Sequence, residues 1–337
     1  MTTAPDSAPF VAAVTATYRR AEELRRCLRS LVQAGPELGA VVVVDNGGSG
    51  VDTLGEEFPD LPIHPLYPAQ NLGFGGGLAL AMRMALANYG EGITHFLILD
   101  DDVELPPGCL SALLAGVGMA QARAGCPMVV GSDGQVGWFP GLNAPGPWQA
   151  IRRATIPADY LDRYGEKPIS FSWSTFVCLL VAAEAVRAVG LPREDYWVRG
   201  EDLEYSLRLT NRFPSAFLPG ITVRHLVPAR GSQTGLPDDD RLKSLAMLQN
   251  SAYTSAWLPH GRRLLRHLPG NIYRFLQLPG GGLADALAVL HALWNGFIKA
   301  RPAGAAGADL FRRTAAEEKT TPPGGAELSA EATGSRR

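Results

Sequence analysis

The chain has almost no excess of charge of either sign: across 337 residues, 31 Lys and Arg stand against 33 Asp and Glu, a net of -2. That balance excludes a protein whose work is to coat nucleic acid by neutralising phosphates. Cysteine is scarce. Cys27, Cys109, Cys126 and Cys178 stand far apart with no C-x-x-C pair, which argues against a zinc site or a disulfide framework and for a reducing compartment, hence a cytoplasmic location. Long hydrophobic runs are missing too. The best candidate, Leu283 to Ile298, is broken by Asp285 and His291 and falls short of the roughly 18 uninterrupted apolar residues a span needs, so it can lie on a membrane without crossing it. The apolar run Phe10 to Ala16 follows Asp6, not a basic segment, and reads as a first strand in place of a signal peptide.

What is present is a globular composition, 46% hydrophobic, enough for a catalytic domain with an appendage. Strand and helix patterns alternate through the first hundred residues. Phe10 to Thr17 reads as a strand, Ala21, Leu24, Leu28, Leu31 and Val32 as one helical face, and Val41 to Val44 as a buried strand. A short strand near Ile63 to Leu66, a helix from Leu78 to Tyr89 and a strand His95 to Leu99 follow. This alternation predicts an α/β fold, a mostly parallel sheet with helices on both faces, whose ligands collect at the carboxyl ends of the strands. Asp45 and Asp100 to Asp102 fall at that edge.

Residues 131–168, with Trp138, Phe139 and Trp148, read as a long ordered loop over the site. A single strand Phe171 to Val181, a helix Ala182 to Val189 and a helix opening near Glu201 come next. A mobile connection at 228–237 leads to a helical region, 238–300. The expected organisation is therefore a disordered stretch 1–9, a catalytic domain 10–230, the helical region, and a disordered tail 301–337 poor in large apolar residues.

Three constellations carry the chemistry. Asp100, Asp101 and Asp102 end a buried strand, and three adjacent carboxylates repel one another unless a cation relieves them; hard oxygen ligands suit Mg²⁺ or Mn²⁺. Asn71, Leu72, Gly73, Phe74, Gly75, Gly76 and Gly77 read as a glycine-rich loop entering a helix, where backbone can approach an anion. Alone that loop is a weak signal, and it follows the wrong strand for a dinucleotide fingerprint. Glu201 and Asp202 open a helix behind Tyr196 and Trp197, with Arg208 four residues after Glu204.

Taken in this order, V-V-D-N at 43–46, N-L-G-F-G-G-G at 71–77, L-D-D-D at 99–102 and G-E-D-L-E-Y-S-L-R at 200–208 resemble the inverting GT-A glycosyltransferases of family 2, over roughly residues 10 to 230. The triple aspartate and the acid pair look most like galactofuranosyltransferases; the N-L-G-F-G segment is equally like rhamnosyltransferases. The resemblance implies a pyrimidine nucleotide-sugar donor, UDP- or dTDP-linked, a Mn²⁺ or Mg²⁺ cofactor, and a glycan, glycolipid or small-metabolite acceptor. It implies donor contacts at Thr15, Asp45, Asn71, Gly73, Gly75, Gly76, Asp100 and Asp101, with metal at Asp102, His225 and Asp100. Asp202 would be the general base with Glu201 beside it, and Glu201, Trp173 and Trp197 would face the acceptor.

Two other classes compete. A sugar-nucleotide nucleotidyltransferase would share the sheet and acidic metal site but would place a glycine cluster directly after the first strand, and Thr15 to Arg20 has none. An inactive sugar-binding relative would have no reason to keep Asp45, Asp102, Asp202 and His225 together. Gln249 and Asn250 look like a faint version of an R-N pair in the C-terminal part of the same families. Arg262, Arg263, Arg266, His267, Tyr273 and Arg274, interleaved with Leu264, Leu265, Leu268 and Ile272, predict a basic amphipathic helix, set on an anionic membrane surface, against its own domain or against a partner copy.

Overall fold

The computed structural model describes residues 8–143, 157–229, 237–257, 265, 268–277 and 282–299. Trp148, the segment 230–236, Arg262, Arg263, Arg266, His267, most of the N-terminal stretch and the tail lie outside the described residues. The strands are β1 (Val11–Thr17), β2 (Leu38–Asp45), β3 (Ile63–Leu66), β4 (His95–Leu99), β5 (Val103–Glu104), β6 (Ala124–Val130), β7 (Val136–Gly137), β8 (Gly141–Leu142), β9 (Phe171–Trp173), β10 (Cys178–Ala182) and β11 (Ser215–His225). Nine of them form one sheet in the order β3-β2-β1-β4-β10-β6-β11-β5, with β7 hydrogen-bonded to β6; β8 and β9 make a separate pair. The sheet is mixed. β1, β2, β3 and β4 pair in parallel, as do β6 and β11, while β10 runs antiparallel to both β4 and β6. Two antiparallel steps restore direction, so β11 ends on the same edge as β1, β2 and β4.

Sequence explains the burial. β1 is buried at every residue and β2 at six of its eight, the continuous apolar pattern of strands covered on both faces. On one face, Leu24, Leu28 and Leu31 of α1 (Ala21–Leu31), Leu54 of α2 (Leu54–Glu57) and Leu110 and Leu113 of α4 (Cys109–Met119) close a core over Val41, Val43 and Leu97. Across the sheet, Leu78 and Met82 of α3 (Gly73–Tyr89), Tyr160 of α5 (Pro157–Tyr164), Val186 of α6 (Ala183–Val189) and Tyr205 of α7 (Glu201–Thr210) close the other. The four cysteines are free and buried.

A third, smaller core joins α8 (Pro237–Trp257), α9 (Leu268–Leu276) and α10 (Leu283–Trp294) through Leu248, Phe275, Val289 and Ala292. Among the described residues no helix is long and apolar enough to cross a membrane.

Four expectations are corrected. The strand expected over 171–181 is two strands in different sheets, β9 and β10, because 174–177 turns across the site between them. The region 131–168 is more than a loop, since β7, β8 and α5 lie within it. Val32 is exposed, just past the end of α1. The glycine-rich segment is not a loop either, because α3 begins at Gly73, five residues before the expected start.

Packing explains those glycines. Gly73 has φ +70°, and a Cβ there would lie 1.8 Å from the backbone oxygen of Trp197; one on Gly75 would lie 2.4 Å from that of Tyr196. The start of α3 therefore docks backbone to backbone against residues 193–201, closed by a hydrogen bond from the Phe74 N-H to the Trp197 carbonyl at 2.9 Å. Gly73→Ala is expected to destabilise the fold by about 3 kcal/mol or more, since left-handed backbone and an incompressible clash add. A denaturant-unfolding midpoint equal to wild type would refute that assignment.

Candidate active site

The carboxyl edge of the sheet gathers the polar residues the apolar strands cannot hold. In register, Thr17 of β1 faces Asp45 of β2, and β5 folds back on β11 so that His225 pairs with Val103. The Leu226 N-H then donates to the Asp102 carbonyl at 2.9 Å. This register brings the histidine to the aspartate run across more than a hundred residues of chain. The His225 Nε2 lies 3.3 Å from Asp102 Oδ1 and 3.5 Å from Asp100 Oδ2. One ligand atom from each of these three residues falls within 4.8 Å of the others, an oxygen-and-imidazole set suited to a divalent cation.

Arg20, just past β1, supplies positive charge from the other side. Its Nη1 donates to Asp101 Oδ1 at 3.2 Å and to Asp102 Oδ2 at 2.7 Å. Asp101 and Asp102 are buried. Burial pushes the Asp101 carboxyl up to about 7 against the opposing pull of Arg20. Burial, then the charge of Asp100, holds Asp102 above the usual carboxylate range, with His225 and Arg20 countering. Trp138 stacks on His225 with centroids 4.3 Å apart and planes 18° from parallel. Its backbone sits at φ +47°, a conformation a bulky residue adopts only where its surroundings impose it.

The Asp45 carboxylate accepts from the N-H groups of Gly47 at 2.9 Å and Ser49 at 3.0 Å, which ties the 46–50 loop under the strand ends. Ser49 Oγ is 3.3 Å from Thr17 Oγ1. Thr15 is buried two residues short of the edge, its hydroxyl without a hydrogen-bond partner. Thr17, not Thr15, ends β1 at the site. Asn71 accepts from the Gly73 N-H at 2.8 Å, and Asn46 spans the same turn, accepting from Leu72 N-H at 3.0 Å and donating to the Gly73 carbonyl at 2.9 Å. Gly73, Gly75 and Gly76 are buried by the packing described above, which accounts for them without a phosphate.

Facing the aspartates is a cleft of about 1850 Å³ lined by Asp100, Trp138, Trp173, Glu201 and Asp202 among others, roomier than a typical small-ligand pocket of ~300–1,000 Å³. Both acids sit at the start of α7, and burial raises both above the ordinary carboxylate range. Asp202 is half-buried, accepts from the Leu203 N-H at 2.7 Å, and is pushed up to about 6 by burial and by Asp100. Glu201 is buried with Oε2 lacking a hydrogen-bond partner, and burial with Asp202 beside it raises it well above its ordinary value. Burial thus favours the protonated form of both carboxyls, and Asp202 is the one raised to about 6, near neutrality. Trp173 lines the cleft beside Gly141. Trp197 does not: it lines a separate cavity against α8 and α10, with Asn250 and His291.

Residues 12–179 match the model of glycosyl transferase family 2. The chain carries a domain of that family. Galactofuranosyltransferase GlfT1 of Mycobacterium tuberculosis is 30% identical over 202 residues, 59% of this chain and 64% of the relative; the match therefore spans less than two thirds of that protein. In fold the chain is similar to S. aureus TarS 1-349 in complex with UDP-GlcNAc, at TM-score 0.53 and 15% identity over 87% of this chain and 82% of the other. GalNAc-T7 with UDP, GalNAc and Mn²⁺ gives TM-score 0.54 at 13% identity over 94% of this chain and 58% of the other. These are GT-A glycosyltransferases, so the fold read from the motifs holds.

Two residues at the site escape a reading by motif, Thr17 and Arg20, and a third, Asn250, is legible only as half of a faint R-N pair. Asn250, in α8, donates through Nδ2 to the carbonyls of Arg199 at 2.8 Å and Val198 at 3.3 Å. Those carbonyls precede Asp202 in a turn where Arg199 and Gly200 have φ +60° and +94°. Asn250→Ala is expected to lower turnover about tenfold with little change in nucleotide affinity, because a shift of ~1 Å in a catalytic group costs rate more than binding. An equal loss of nucleotide affinity would instead mark a general collapse of the site.

Proposed function

We propose that this protein is an inverting glycosyltransferase that moves galactofuranose from UDP-galactofuranose to a hydroxyl of a glycan, glycolipid or small-metabolite acceptor. The observation that carries the reading is that Asp100 and Asp202 line one cleft, Asp100 being also a member of the cluster it forms with Asp102 and His225. A sugar diphosphate and an acceptor need two acidic groups of this kind, one to serve the leaving anion through a cation and one to receive a proton. The choice of sugar is supported by likeness to the GlfT1 relatives.

In this mechanism Asp45 and Thr17 receive the nucleoside end at the tips of β2 and β1. Asp100, Asp102 and His225 would hold Mn²⁺ or Mg²⁺, which supplies Lewis-acid charge for the departing diphosphate. Arg20 fixes the Asp101 and Asp102 carboxylates. Trp173 offers an aromatic face for the acceptor sugar. Asp202 accepts the proton of the acceptor hydroxyl as that oxygen bonds to the anomeric carbon from the face opposite the diphosphate. The carbon-to-phosphate-oxygen bond breaks as the new bond forms, and configuration inverts without a covalent enzyme intermediate. Burial and the neighbouring Asp202 disfavour a second negative charge on Glu201 beside the base.

Calorimetric titration with UDP, dTDP and GDP, each with and without Mn²⁺, tests the donor side. The expected result is UDP binding that strengthens with Mn²⁺; metal-dependent preference for dTDP would replace the galactofuranosyl reading with a rhamnosyl one.

A further inference from the structure

Among the described residues, the C-terminal helices leave an apolar face uncovered. On α10 and the turn that follows it, Val289, Ala292, Leu293 and Phe297 face inward onto the small third core, and Asp285 is buried. The opposite side repeats large apolar residues at Leu283, Leu287, Leu290, Trp294 and Ile298, each between 57% and 78% exposed. Spacings of four, three, four and four residues put them in one stripe, about 22 Å long at a rise of 1.5 Å per residue. Scattered exposed leucines are ordinary, whereas a continuous row marks a surface that meets something apolar.

Charge identifies the partner. Residues 258–301 carry Arg262, Arg263, Arg266, Arg274, Lys299 and Arg301 against the single acid Asp285, in a chain whose net charge is -2. From 282 to 298 no carboxylate is exposed, and His291 is the exposed ionisable group. A second copy pairing through this stretch of chain would bring a second excess of positive charge to it, since a two-fold interface is self-complementary.

We propose that the Leu283–Ile298 face docks in the interfacial layer of an anionic lipid bilayer. An amphipathic helix lying in that plane buries its apolar side among the acyl chains and uses flanking Lys and Arg on anionic headgroups. Trp294 suits the interfacial position that tryptophan favours at membranes. This docking is independent of which sugar is transferred, because none of these residues lines the cleft.

The test uses the full chain and extruded vesicles of phosphatidylcholine, with or without about one-third phosphatidylglycerol. Flotation is expected to recover the protein with the anionic vesicles at least ~10-fold more than with the neutral ones, and recovery should fall in about 0.5 M salt, where charges beyond ~4 Å are screened. The variant Leu287→Gln/Leu290→Gln/Trp294→Gln should lose partitioning by about 30-fold or more. All three residues are on the surface, and unchanged calorimetric UDP binding would show the variant to be folded. Equal flotation of variant and wild type, or no flotation of wild type with anionic vesicles, would overturn the proposal. So would a dimer seen by light scattering that the variant abolishes, which would give the face to a second copy.

Discussion

Asp202→Asn is expected to lower kcat by about 10² to 10⁴-fold, the usual contribution of a positioned general base, equivalent to about 3 to 5 kcal/mol of transition-state stabilisation. UDP affinity should be nearly unchanged, because Asp202 is not among the residues that would hold the cation, Asp100, Asp102 and His225. The pH profile provides an independent check. A base must be unprotonated to act, so with the carboxyl pushed up to about 6 the wild-type rate should climb as pH rises through that region and level off above it. In the asparagine variant that limb should vanish along with most of the rate. Retention of wild-type turnover would remove Asp202 from the mechanism, and a full rate with the same limb would move attention to Glu201.

Asp102→Asn should have its effect on binding first. Residues that merely orient metal ligands typically cost 10 to 100-fold in affinity when changed, so loss of a direct ligand should weaken Mn²⁺-dependent UDP binding by at least ~100-fold. The substitution keeps shape and removes one of the two carboxylates that Arg20 bridges. Calorimetry with UDP should then give the same weak isotherm with and without Mn²⁺. A Mn²⁺ enhancement as large as wild type would mean that Asp100 and His225 suffice, and the ligand set would have to be redrawn without Asp102.

Much of this architecture is legible in local pattern. The runs Val41 to Val44 and His95 to Leu99 announce buried parallel strands, and the carboxylates that directly follow them announce the functional edge. His225 is legible only through its likeness to a family motif, since its meeting with Asp102 depends on the register of β5 on β11, a contact no local periodicity encodes. Glycine was ambiguous for a physical reason. The same missing side chain that permits an anion to approach also permits another backbone to approach, and in Gly73 and Gly75 the neighbour is the 193–201 segment. Thr17 was within reach: the rule that ligands gather at strand ends applies to β1 as it does to β2 and β4, and it favours Thr17 over the interior Thr15. Trp197 looked like an acceptor aromatic because it adjoins the acids in sequence. In the fold it lines a separate cavity with Asn250 and His291.

The clamp of Asn250 on the turn before Asp202 bears on how such chains diverge. The segment matched to the family closes at residue 179, ahead of the acidic pair and far ahead of the asparagine that fixes it. Drift in α8 could therefore silence a copy whose nucleotide-binding half is untouched, leaving a lectin-like descendant that still captures donor. Redesign could use the same division: α8 is a place to tune turnover while leaving the donor pocket intact, and grafting a foreign helical region onto this sheet without an equivalent of Asn250 should yield a binder and not a catalyst.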